Sequence, residues 1–451
     1  MRRRAAFTPS RSLHRLRRRA GLAGLTALVS AAALLLPGPA ASATAPDQWT
    51  GSLADGGNSS TNAGETVITA ANAGRVTTAW TSTLASAQPS APMVLGGVVY
   101  RVIGMTSAKF VASSPRTGAT QWSIGLPIGV QYGYGMAATS GEVLVAFRGT
   151  NGPGGVLAVD VAARRVLWRS FLPASTIAGG GNDYPGVPIS DGTRVYLAGA
   201  SNDINAYRLS DGARVWSVPL AYNSNGTFRQ VDGIVTGGGL VYTTGQGGVI
   251  AYSATTGKPV WRSTLATTGR PVLAGGRVLV NTGNGSGVQA FAAAGCGAAS
   301  CAPVWTTDLG SPDSGSLAVG AADATNAFIT WRTTRSGENT QCSSVLSGHV
   351  ARLSSSTGKV QWSTTVGTTT TGLIHAGSTI WLYDEYIDSS CAGANRVLAY
   401  SATATGSTPL RTIPLSAATS GYPQSLALAS GTLLRQTWAP ATLIGYRVPN
   451  S

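Results

Sequence analysis

The sequence predicts an all-β fold, an eight-bladed β-propeller of four-stranded antiparallel blades, on three observations. The first is composition: 59 of the 451 residues are Gly, 11% are charged, and Lys occurs three times. An interior Gly costs a helix about 1 kcal/mol relative to Ala, so this composition excludes a mostly helical protein. Thr, Val, Tyr and Trp, which suit pleated sheets, take the place of the helix formers. The second is a recurrent Trp. Trp80, Trp122, Trp168, Trp216, Trp261, Trp305 and Trp362 stand 42, 46, 48, 45, 44 and 57 residues apart. The third is a phrase that ends on most of these tryptophans. A unit of several short strands cannot bury both its faces alone, so such units stack on one another in a ring.

In chain order, residues 1–43 read as a signal peptide. Eight Arg and no acid lie there, an apolar stretch runs from Ala20 to Leu36, and Ala41-Ser42-Ala43 follows the break at Pro37-Gly38-Pro39. That pattern predicts cleavage after Ala43 and a secreted or extracytoplasmic protein. The competing reading is a membrane anchor, but the apolar stretch is at the short limit for spanning a bilayer. Arg17-Arg18-Arg19 partly matches a twin-arginine signal, and both export routes stay open. No membrane span is expected in the mature chain. Without the leader, 24 basic residues face 17 acidic ones, dispersed along the chain. Nucleic acid is therefore not an expected partner. Residues 44–74 form a lead-in segment, and 75–451 hold the propeller.

The phrase itself has a physical logic. Ala112 to Trp122 reads ASSPRTGATQW, Ala158 to Trp168 AVDVAARRVLW, and Ala206 to Trp216 AYRLSDGARVW. Ala251 to Trp261 reads AYSATTGKPVW and Arg352 to Trp362 RLSSSTGKVQW. Four of these five carry Gly four residues before the Trp, where a tight hairpin needs positive φ. The Trp is expected to fill the joint between neighbouring sheets. Upstream come Gly-Gly or Asp-Gly and a β-branched strand, as in GGVVYRV at 96–102 and GGRVLVNTG at 275–283. Each unit thus holds four strands, A to D.

The phrase resembles the pyrroloquinoline-quinone (PQQ) repeat family, whose units run Ala-x-Asp-x-x-Thr-Gly-x-x-x-Trp, and the resemblance covers nearly all of the mature chain. Counting units gives eight blades, with seven as the alternative. The last unit shows three strands, SLALAS, TLLRQT and TLIGYRV, and RVTTAW at 75–80 is expected to pair beside Tyr446 and close the ring. In such a meander the B–C and D–A loops share one end of the ring, and the A–B and C–D loops share the other. Cys296 and Cys301 fall in one C–D turn, whereas Cys342 and Cys391 fall in B–C loops of adjacent blades. The expected disulfides are Cys296–Cys301 and Cys342–Cys391.

The D–A loops supply the candidate ligand-binding residues: Tyr132, Tyr134, Asn182, Asp183, Tyr184, Tyr222, Asn223, Phe228, Arg229 and Tyr422. Aromatic groups with a few polar partners around a funnel suit a flat or peptide-like ligand. The same tyrosines would equally serve to pack loops together. Glu338, Asp384, Glu385 and Asp388 form an acidic group that could hold Ca²⁺ through oxygen ligands, or simply be solvated. His349, at the start of a C strand, and His375, at the end of an A strand, are the only histidines after the leader and have no nucleophile motif beside them. The resemblance implies two functions. Quinoprotein dehydrogenases of this type hold PQQ with Ca²⁺ over the funnel, but often carry adjacent cysteines, and this chain has no Cys-Cys pair. Non-catalytic members, BamB-like envelope propellers, bind protein segments. The favoured reading is a monomeric, non-catalytic binding or scaffold module with no cofactor, for a protein, peptide or cell-envelope ligand. The alternative is a PQQ-dependent dehydrogenase with Ca²⁺, or another enzyme on the same funnel.

Overall fold

The computed structural model describes residues 48–449 except 52, 84–88, 105–106, 140, 150–152, 174–185, 200–202, 220–232, 245–246, 311, 314–315, 335–345, 368, 388–392, 404–407, 416–424 and 439–440. The described residues form eight sheets, each an antiparallel A–B–C–D meander. Blade 1 consists of Met93–Leu95, Val98–Ile103, Lys109–Ser113 and Thr120–Gly125. Blade 2 runs from Val130–Ala138 to Arg165–Phe171, blade 3 from Ile189–Ser190 to Arg214–Pro219, and blade 4 from Gly233–Gly237 to Pro259–Ser263. Blade 5 runs from Thr267–Ala274 to Trp305–Asp308, blade 6 from Ala318–Ala322 to Val360–Val366, and blade 7 from Thr369–Ala376 to Arg411–Pro414. From blade 1 to blade 8, strand A of each blade abuts strand A of the next, so the A strands surround the axis.

The two chain ends build blade 8 together. Ser425–Ala429, Thr432–Trp438 and Ala441–Arg447 come from the C-terminal part, and Thr77–Thr83 adds the outer strand. Thr78 stands opposite Tyr446, and Trp80 opposite Gly445. The ring therefore closes as the sequence predicts, at eight blades and not seven. Burial follows from strand alternation. Tyr100 of blade 1 packs toward Tyr132 and Met136 of blade 2, while Val99 packs toward Leu434 and Leu443 of blade 8. Each blade thus shares both faces.

The repeated Trp and Gly form a clasp between consecutive blades. Trp80, Trp168, Trp216, Trp261 and Trp305 each lie on a Gly in the C–D turn of the next blade: Gly118, Gly212, Gly257, Gly295 and Gly358. A Cβ on any of these glycines would meet the indole, and all five sit at φ between 69 and 82°. Glycine is thus required twice, for its backbone and for its missing side chain. Each indole also donates to a carbonyl of that turn, at Pro115, Leu209, Ala254, Ala293 and Ser355, over 2.7–3.2 Å. In blades 1, 2, 3, 4, 6 and 8 a β-bulge falls at the residue before the Trp and re-aims the strand there. Blade 2 departs from the rule. Arg164 replaces the Gly, holds φ at 53°, and lays its guanidinium over Trp122, 5.5 Å from the ring centroid. A cation–π contact substitutes there for the glycine seat.

The C–D excursion of blade 5 carries the Cys296–Cys301 disulfide that the sequence predicts. Its Ser300–Cys301 segment pairs in parallel with Arg262 and Ser263, adding a fifth strand to blade 4. Cys342 and Cys391 lie outside the described residues.

Candidate functional site

One end of the ring is occupied by the chain itself. Residues 49–65 run along the A–B ends of the A strands and visit the blades in order. Trp49 exchanges backbone hydrogen bonds with Val94 of blade 1, at 2.7 and 2.9 Å, and Thr50 O accepts from Ala138 N of blade 2. Gly56 lies against the Ser190 carbonyl of blade 3, and its own carbonyl accepts from Thr236 N of blade 4. The Gly57 carbonyl takes Leu273 N of blade 5, that of Ser59 takes Ala322 N of blade 6, and that of Ser60 takes His375 N of blade 7. Asn62 Nδ2 donates to Leu428 O of blade 8, and Glu65 Oε2 accepts from Gly431 N. Otherwise unpaired inner-edge groups of the A strands are satisfied in this way.

Small residues make the curve possible. Ala54, Asn58 and Ser60 adopt φ of 75, 53 and 47°. The Asp55 carboxylate pins the bend by accepting from Gly57 N, Ser59 N and Ser59 Oγ at 2.9, 3.0 and 2.7 Å. Burial pushes that carboxyl above its ordinary range, against the pull of these hydrogen bonds. His375 stands beside the circuit. Its ring packs on Phe328, Nε2 lies 3.0 Å from Gly377 O, and Nδ1 lies 3.4 Å from Asp323 Oδ2. Burial lowers its pKa, while Asp323 pulls it back up.

The B–C and D–A connections form the opposite end, for which the sequence nominates its candidates. Tyr132 and Tyr134 lie in strand A of blade 2 and not in a loop. Tyr132 is buried, and its hydroxyl donates to Pro127 O at 2.8 Å, which makes it a support for the strand entry. Asn182, Asp183, Tyr184, Tyr222, Asn223, Phe228, Arg229 and Tyr422 lie outside the described residues. So do Glu338 and Asp388, while Glu385 sits in strand B of blade 7 opposite Asn395. Asp384 is fully buried, and its Oδ2 accepts from Arg396 Nε at 2.6 Å.

Near this end of blade 6 a polar cluster surrounds His349, which lies near the start of strand C as the sequence predicts. Trp331 stacks on His349, with ring centroids 5.1 Å apart. Thr333 Oγ1 lies 2.9 Å from His349 Nε2, and Arg332 Nε lies 3.7 Å from Asp313 Oδ2. Arg270 stands exposed at the bulge in strand A of blade 5. Among the described residues, no three His, Cys, Asp or Glu come together as a metal cage.

The chain matches the family model for the outer membrane protein assembly factor BamB over residues 45–228 and 202–445. It belongs to this family of PQQ-repeat propellers. The BamB-like region starts ahead of the circuit and includes it. Among solved structures, BamB from Moraxella catarrhalis aligns at 14% identity and a TM-score of 0.54, covering 82% of this chain and 99% of that one. Quinohemoprotein alcohol dehydrogenase from Comamonas testosteroni aligns at 15% identity and a TM-score of 0.61, over 91% and 82%. A europium-containing methanol dehydrogenase aligns at 12% identity and 0.57, over 87% and 89%. At these identities the likeness is one of fold. No curated protein sequence matches the chain.

Proposed function

We propose that this BamB-like propeller is an extracytoplasmic, non-catalytic binding module that takes an extended peptide or a cell-envelope ligand on its B–C/D–A end. The circuit of residues 49–65 carries this reading. The chain's own backbone occupies the A–B ends of the A strands, so docking is directed to the opposite end. Tyr134, Asn182, Asp183, Tyr184, Tyr222, Asn223, Phe228, Arg229 and Tyr422 are the residues expected to meet the ligand there, with Tyr132 bracing the strand beneath. Export rests on the leader pattern in 1–43. Cleavage after Ala43 would leave the circuit whole, since its first hydrogen bond is at Trp49.

The test is capture of extended peptides from a display library by the mature protein, compared with a variant in which Tyr222, Phe228 and Arg229 are replaced by Ala. Selective capture that the triple variant loses supports the reading; capture that the triple variant keeps overturns it. The same sample, titrated with PQQ and Ca²⁺, should show no saturable change in tryptophan fluorescence. A saturable change would favour a quinoprotein dehydrogenase instead.

A further inference from the structure

The seam between blades 8 and 1 buries a positive charge that no carboxylate among the described residues neutralises. Arg101, in strand B of blade 1, is 1% exposed. It shares a face with Val99, which packs toward blade 8. Its Nη1 lies 3.4 Å from Gln436 Oε1, a neutral acceptor, and its Nε is buried without a partner. The Gln436 amide cannot rearrange freely, because Nε2 donates to both Thr437 O and Thr442 O at 2.9 Å. Arg435, also buried, precedes Gln436 and so points to the other face of blade 8.

The sequence explains why no carboxylate answers this guanidinium. Residues 66–141 and 389–451, which supply all the strands of blades 1 and 8, contain eight Lys and Arg and not one Asp or Glu. A buried ion without a counter-charge is costly, and natural interiors pair it or neutralise it. Burial draws the Arg101 pKa down to about 10, which still leaves it charged at neutral pH. The counter-charge must therefore come from elsewhere. Arg101 lies in the second half of its strand, toward the B–C end, which the circuit leaves for docking.

We infer that the blade 8–blade 1 seam binds a small oxyanion, a carboxylate or phosphate group, on Arg101, with the Nε–H as its donor. This deepens the proposed function by giving the docked ligand an anionic group. Charge-assisted bonds of this kind are among the strongest a protein makes.

The experiment follows the melting temperature of the mature protein as sodium phosphate, or separately sodium acetate, replaces chloride at fixed ionic strength. Anions that bind only the folded state raise its stability by mass action. Wild type should show a saturable rise with at least one of the two, and the responsive arm identifies phosphate or carboxylate. Arg101→Met should fold in chloride and lose the response, whereas Arg116→Gln, in an exposed C–D turn, should keep it. If the Met variant does not fold, Arg101→Lys serves: it keeps the charge, removes the Nε donor, and should weaken the half-saturating concentration about tenfold. A wild type indifferent to both anions overturns the inference, as does an unchanged response in the Met or Lys variant. Peptide capture, assayed separately with uncharged peptides, tests the docking end alone, so either idea can fail without the other.

Discussion

The clasp can be tested with two glycines of one blade. Gly97 and Gly118 both sit at φ 70°. Placing Ala in that left-handed region costs about 1–2 kcal/mol at either site. At Gly97 nothing lies within 4 Å of where the Cβ would stand. At Gly118 that Cβ would stand 2.7 Å from Cζ3 and 2.9 Å from Cδ2 of Trp80. Trp80 has no room to retreat, since its other side is seated on Gly445. Overpacking of this kind costs about 1–3 kcal/mol. Gly118→Ala should therefore lose about 1–3 kcal/mol more than Gly97→Ala, the backbone contribution cancelling between them. Urea unfolding followed by far-ultraviolet circular dichroism, with equal slopes in both variants, measures the difference. Combining Gly118→Ala with Trp80→Leu should recover part of the loss, because contacting residues couple. Equal destabilisation by the two glycine variants would refute the clasp as a packing device.

Three further outcomes follow from other parts of the ring. Deleting residues 440–451 removes the partner strand of Thr77–Thr83 and should lower the melting temperature far beyond terminal fraying, whereas unchanged melting would contradict the closure. Burial holds His375 below its usual pKa of about 6.5, so on acidification the unfolded chain takes the proton first. Stability should then fall as pH drops from about 6.5 toward the folded value, and His375→Gln should flatten that fall in pH-dependent melting. For Asp323, burial is outweighed by hydrogen bonds from Thr325 and Asn326, which lower its pKa; that adds a separate loss at still lower pH. Replacing Cys296 and Cys301 by Ser should cost about 2 kcal/mol by loop-closure entropy. It should also speed amide exchange at Arg262 and Thr264, whose N–H groups bond to the excursion at Ala299 O and Cys301 O.

What could be read in advance was whatever repeats. The Trp and its Gly return in unit after unit because every blade must dock on the next, so blade order, strand count and closure were legible from Trp80 to Tyr446. The short Cys296–Cys301 loop was legible for a related reason, as two cysteines in one turn have little choice of partner. The circuit was not. Gly56, Gly57, Ser59 and Ser60 act through backbone carbonyls, and such contacts leave no hydrophobic period for the eye to follow. Arg164 hid as well, because a guanidinium over a ring does in blade 2 what an absent side chain does elsewhere. The acid-free stretches around blades 1 and 8 are a matter of composition alone, and only the fold brings Arg101 to face Gln436 across a buried seam. For the docking end, strand boundaries explain the partial result. The glycines of QYGYG suggest a loop, yet its residues continue strand A of blade 2 through an irregular register between Tyr132 and Met136.

The order in which the chain is made gives the circuit a further consequence. Asn62 and Glu65 find their blade 8 partners, Leu428 and Gly431, 366 residues downstream. The stretch synthesised ahead of every blade is thus the one whose bonds are completed last, once the eighth sheet exists to receive it. Until then it is a tether of mostly small and polar residues, with Trp49 as its one large side chain to bury. Afterwards it ties all eight sheets to one another through a single strand of backbone, so that assembly is recorded at the axis only when no blade is missing.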